Sequence, residues 1–209
     1  MQNRTTLAGA GFLALALWIV GLVLGQALPS KLPSHPTDQQ ILDWVSSNTG
    51  YVVTGAWLFM VGCVVFVAFA VMLRSRLPEG SLTTTFYTGA VMAAIGGLLT
   101  QTDFVTGIDK SDVSPAAAAA MHHLGDLGFS VAELSLVLVF AAGALLAFKE
   151  HVLPRWWGAI LALFAVAALI GPIGWTMVIF GTPIFTLVTP WLIGRGARRT
   201  AAAPATATA

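Results

Sequence analysis

The sequence predicts an all-α fold: a polytopic membrane helical bundle of six transmembrane helices, with N- and C-termini cytoplasmic. Three observations predict it. Hydrophobic residues make up 57% of the 209 residues and charged residues only 9%. A soluble domain carries about 25% charged residues, so this chain cannot cover a water-facing surface and lipid must be its solvent. Apolar stretches of about 20 residues, the length a helix needs to cross the hydrocarbon core, recur along the chain. Basic residues then fall on alternate connections, as the excess of Lys and Arg in cytoplasmic loops requires.

The first span is expected at about 6–28. Arg4 precedes the apolar run Leu7–Leu24. That run is 18 residues long, beyond the roughly 7–15 of a secretory signal's apolar region. It reads as a retained helix. Gly21 and Gly25 form a GxxxG spacing, which lets two helices approach closely. Packing within the monomer is the expected use of this face. A homo-oligomer or another membrane-protein partner is the other use. Pro29, Pro33 and Pro36 keep the next stretch extended. Thr37 and Gln40 then have capping-box spacing, so a short amphipathic surface helix should follow, with Trp44 at headgroup level.

Further spans are expected at about 51–73, 84–102 and 117–148. The last apolar block, 156–194, has 39 residues and suits two helices, 156–172 and 175–194. Gly171-Pro172-Ile173-Gly174 is the expected reversal, because Gly and Pro punctuate structure locally. Trp156 and Trp157 read as an interfacial anchor beside Arg155. Pro183 and Pro190 should bend the last helix, with Thr182, Thr186 and Thr189 available to satisfy freed carbonyls. Residues 1–199 thus form one transmembrane domain. Residues 200–209 contain only Ala, Thr and Pro and read as a disordered low-complexity tail.

Charge tests the count. With the N-terminus inside, the inner segments hold Arg4, Arg74, Arg76, Lys149, Arg155, Arg195, Arg198 and Arg199, and the outer loops only Lys31 and Lys110. An odd number of spans would put three of those arginines outside. The outer loops are acidic, with Asp38, Asp43, Asp109 and Asp112. The net charge of +1 and scattered basic residues give no nucleic-acid surface. The single Cys63 rules out an intrachain disulfide and a Cys-rich metal site.

One polar cluster interrupts the apolar spans: His122, His123, Asp126 and, deeper, Glu133. At about 100° per residue, Asp126 falls roughly 40° and Glu133 roughly 20° from His122, with Ser130 at the edge of the stripe. His123 points roughly 100° away. Glu133 should sit roughly 9 Å below Leu127. A charged Glu there costs on the order of 2–3 kcal/mol, so protonation, a cationic partner or a wet cavity is expected. Gln101, Thr102 and Asp103 end the third span at a similar depth and should meet the cluster.

Three readings follow. A polar network can glue helices together. A proton or cation path can use His122, Asp126 and Glu133, supported by Gln101, Asp103 and Ser130, since such chains mark ion paths. A metal or haem site at the outer face can use His122, His123 and Asp126, with Asp103, since imidazole with carboxylate suits zinc and related ions. No cofactor is favoured. No GxSxG, HExxH or GxGD pattern is present, so an enzyme is not expected.

The outer-loop segment Thr37-Asp38-Gln39-Gln40-Ile41-Leu42-Asp43-Trp44, the Leu73-Arg74 span end, the Leu82-Thr83 step and the inner Leu153-Pro154-Arg155-Trp156-Trp157-Gly158 resemble one family over most of 1–199. It is the small multi-pass membrane proteins of unknown function abundant in high-GC Gram-positive bacteria. The resemblance implies a multi-pass protein of the bacterial inner membrane and carries no activity. The expected function is structural or accessory. The alternatives are a small proton- or cation-coupled transporter or binding protein, and an outer-face metal or haem protein.

Overall fold

The computed structural model of the chain describes residues 2–109 and 111–201. Lys110, the tail beyond Ala201 and the side chains of Arg4, Arg195, Arg198 and Arg199 lie outside the described residues. The described chain is all helical. Helix α1 spans Gln2–Leu22 and continues through a π-helical turn, Val23–Ala27. Then follow α2 (Asp38–Ser47), α3 (Thr49–Arg74), α4 (Ser81–Leu99), α5 (Asp103–Ile108), α6 (Pro115–Lys149) and α7 (Arg155–Ala168). Helix α8 (Gly171–Thr176) passes through a second π-helical turn, Met177–Gly181, into α9 (Thr182–Ala201).

Among the described residues, five helical segments are long and apolar enough to cross a membrane: Thr5–Ala27, Thr49–Arg74, Ser81–Ile108, Pro115–Lys149 and Ile173–Ile193. The expected span 156–172 is different. Its helix, α7, has 14 residues and is therefore roughly 21 Å long. That is short of a hydrocarbon core of about 30 Å. The reversal also comes earlier than expected. Ile170 turns extended (φ −95°, ψ 96°). Its carbonyl accepts the N–H groups of Ile173 and Gly174 at 2.7 and 2.8 Å. Gly171-Pro172-Ile173-Gly174 is thus the first turn of the returning helix. Proline fits a helix start because it has no N–H to satisfy there.

Glycines set which helices touch. A Cβ at Gly21 would stand 2.7 Å from the Gly55 carbonyl, and Gly25 also lies on Gly55. The Gly21/Gly25 face is therefore occupied by α3 of the same chain. Helix α4 packs antiparallel on α6: Gly89 faces Ser135 and Val139, Gly96 faces Gly128 and Ala132, and Gly128 faces Leu99. Helix α7 runs back along the other end of α6, with Gly158 on Ala147, Leu161 on Gly143 and Phe164 against Phe140. Helix α9 then returns the way α7 came. Phe185 meets Phe140 and Phe86, and the Trp157 indole donates to Thr189 Oγ1 at 3.1 Å. Trp157 is thereby buried while Trp156 is exposed, so only Trp156 is free to act as an anchor. Near the prolines, the Thr182 hydroxyl donates to the Met177 carbonyl and Thr186 to the Thr182 carbonyl.

The bundle has two unlike ends. Arg74, Arg76, Lys149 and Arg155 mark the basic end. At the other end, α2 lies across α5 and the start of α6 as a cap. Its capping box is formed by Thr37 and Gln40. Ile41 is buried with Ala118 and Ala119, Val45 is buried close to Gly107, and the Trp44 indole donates to the Ser30 carbonyl.

Candidate functional site: a polar stripe above a short helical hairpin

Small residues bring the polar groups together. Gly125 and Gly128 allow the end of α4 to lie directly on α6: a Cβ at Gly125 would be 3.2 Å from both Thr100 O and Thr102 Oγ1. The Thr102 hydroxyl donates to the Met121 carbonyl. Asp103, the first residue of α5, then meets His122, with Oδ2 and Nδ1 2.9 Å apart. The two side chains are 13% and 26% exposed, so this ion pair is a shielded one. Asp103 Oδ1 and Thr106 Oγ1 are buried and have no hydrogen-bond partner among the described residues. Gln101 turns away, donating to Thr100 Oγ1 at 2.6 Å.

The remaining members of the cluster point elsewhere. His123 Nδ1 is 3.5 Å from Asp126 Oδ2, one turn on, and both side chains are well exposed. Ser130 is exposed and its hydroxyl donates to the Asp126 carbonyl at 3.3 Å. Glu133 makes no hydrogen bond or ion pair among the described residues. Its carboxyl lies against Gly174, so closely that a Cβ there would overlap it. Among the described residues, no three His, Cys, Asp or Glu side chains converge as metal ligands. The metal set His122, His123 and Asp126 is split accordingly: His122 goes to Asp103, and His123 to Asp126.

Periodicity explains the setting of Glu133. Asp126, Ser130 and Glu133 are spaced i, i+4, i+7, one face of a helix. Continued along α6, this face is Phe140, Ala144 and Ala147, the residues that pack on α7. Below Glu133 the face is apolar and covered. At Glu133 the α7–α8 hairpin ends. Above it the face is polar and bare. Gly128 marks the level of Leu99, the end of α4. Glu133 is five residues further along α6, roughly 7–8 Å deeper. The hairpin therefore ends at the level of Glu133 and leaves the α6 face above it uncovered, with Asp126 and Ser130 exposed. Leu127 and Leu134 on α6 and Leu169 and Ile173 near the hairpin turn are exposed as well.

Sequence reasoning found the carboxyl and missed Gly174. The glycine was visible only as a turn former, because its place beside Glu133 depends on where α7 stops. No family model, no curated protein and no solved structure matches the chain.

Proposed function

We propose that the chain is a multi-pass protein of the bacterial inner membrane that crosses six times with both ends in the cytoplasm, and that Glu133 binds a proton or a cation arriving from the outer side. The basic end carrying Arg74, Arg76, Lys149 and Arg155 supports this orientation through the positive-inside rule. The return of α9 to the level of Trp157 supports an even number of passages. In this reading, the short α7 and its turn make the fifth passage, with the turn sunk in the outer leaflet.

The observation that carries the functional reading is the partnerless Glu133 carboxyl at the foot of an uncovered polar stripe. A carboxyl held only for structure would be expected to bond to a neighbouring helix, and Glu133 meets a bare glycine instead. No titratable residue of α8 faces it, and the only one on α7 is Arg155, at the far end. His123 and Asp126 lie above it on its own helix. Infrared spectroscopy of the protein in lipid nanodiscs tests the proposal. A protonated-carboxyl band that changes with pH or added cation, and that is missing in Glu133→Gln, is expected. A Glu133 carboxyl indifferent to both sinks the reading.

A second reading has its own support. The shielded His122–Asp103 pair and the Thr102–Met121 hydrogen bond tie the end of α4 and the start of α5 to α6. In this reading that half of the cluster serves a structural role, fixing the capped end of the bundle.

A further inference from the structure

We infer that a cavity at the capped end, between α1 and the α2–α3 junction, binds the uncharged, hydroxyl-bearing headgroup of a lipid in the adjoining leaflet. Its volume is about 370 Å³, and it is lined by Leu24, Ser47, Asn48, Gly50, Tyr51 and Thr54. Small-molecule sites run from about 300 Å³ upward. The inference is separate from the Glu133 reading and needs only that α3 crosses the bilayer.

Two sets of contacts frame the cavity. Gly25 lies on Gly55, which holds α1 against α3 as far as the π-helical turn Val23–Ala27. Beyond that turn the chain is tied to the α2–α3 junction instead. Asn48 Nδ2 donates to Ser30 Oγ at 3.1 Å, the Ser30 N–H donates to Asn48 Oδ1 at 3.4 Å, and the Trp44 indole donates to the Ser30 carbonyl. These bonds hold the rim in place before any ligand arrives, which lowers the cost of binding. Gly50 keeps the space open, since a Cβ there would meet nothing within 4 Å.

The lining selects the ligand. None of the six lining residues is Asp, Glu, Lys, Arg or His, so an ionic headgroup finds no counter-charge. The Ser47 hydroxyl already donates to the Asp43 carbonyl at 2.6 Å, so toward a ligand it can only accept. A phosphodiester or an ester, which also only accepts, cannot bond to it. The Tyr51 and Thr54 hydroxyls have no partner among the described residues, and each can both donate and accept. They lie one turn apart on α3, inside the apolar segment Thr49–Arg74 and exposed on its surface, so the cavity opens toward lipid. Against hydrocarbon alone these hydroxyls would stay unsatisfied, which is costly. A sugar or glycerol head supplies donors and acceptors together and carries no charge.

The test uses the full chain in phosphatidylcholine nanodiscs doped with monogalactosyl diacylglycerol, read by native mass spectrometry. Wild-type protein should retain the galactolipid in preference to phosphatidylcholine. Gly50→Leu puts a side chain into the cavity and should reduce retention about tenfold or more, the loss of two or more hydrogen bonds. Thr54→Val removes one hydroxyl and should reduce it about fivefold. Gly9→Leu, near the other end of α1 and also in open space, should change nothing. Thermal unfolding shows that each variant is folded. Unchanged retention in a folded Gly50→Leu overturns the inference. So does a wild type without preference over phosphatidylcholine, because the cavity then takes an acyl chain at most. Methyl galactoside added in water should not displace the lipid. If it does so at equal concentration, the ligand is a soluble sugar and the lipid assignment falls.

Discussion

At the scale of single residues, the most consequential contact is Glu133 on Gly174. Any side chain at 174 would overlap the carboxyl where it now lies and would stand 3.0 Å from the Ala168 carbonyl. The half-exposed Glu133 side chain can swing aside, so Gly174→Ala should cost about 1 kcal/mol, the low end for overpacking, set mainly by the Ala168 carbonyl. Adding Glu133→Ala should recover part of the loss, because the carboxyl is one of the two obstacles. Thermal unfolding of the single and double variants in detergent measures both. Equal losses in the single and double variants would mean that the carboxyl does not oppose a side chain at 174. The sequence shows the stripe at this scale, since Asp126, Ser130 and Glu133 share a face by spacing alone. It does not show the pairings. His122 and His123 are adjacent, yet one finds Asp103 on another helix and the other finds Asp126 on its own. Which imidazole meets which carboxylate depends on how α4 and α5 sit against α6, and the glycines that set this act through backbone contact.

At the scale of elements, glycines decide the pairings of α1 with α3 and of α4 with α6. At Gly96 an added methyl would overlap the Ala132 backbone nitrogen and stand 2.8 Å from the Gly128 carbonyl. At Gly9 it would meet nothing within 4 Å. Gly96→Ala is expected to cost about 1–3 kcal/mol, whereas Gly9→Ala should be neutral or stabilising by up to about 1 kcal/mol, the helix-propensity difference. Melting temperatures of the two variants, measured side by side, check the contrast; equal losses would contradict the packing described here. Element identity was readable from apolar length, and the capping box of α2 from two residues. The extent of α7 was not. A continuous apolar block says nothing about where a chain reverses inside it, and the turn falls at Leu169–Ile170, before the glycines and proline that punctuate the sequence there.

For the whole molecule, orientation is the testable property. In a Cys63→Ala background, an impermeant maleimide applied to intact cells should label a cysteine placed at Asp112, which is exposed beside the cap. It should label one at Glu79, exposed at the basic end, only after the membrane is opened. The reverse pattern would overturn the proposed topology. The distribution of Lys and Arg makes orientation the best-supported global expectation of the sequence, because charge acts on the chain without regard to packing detail. The short α7 bears on how such a protein is made. At roughly 21 Å it is shorter than a hydrocarbon core of about 30 Å, so under the proposed six-pass topology it would enter together with α8 and α9. On that topology the ribosome would deliver the returning helix before its predecessor is committed. The final insertion event would then join a paired unit to helices already in place, and the Phe140, Ala144 and Ala147 face of α6 would be its docking rail.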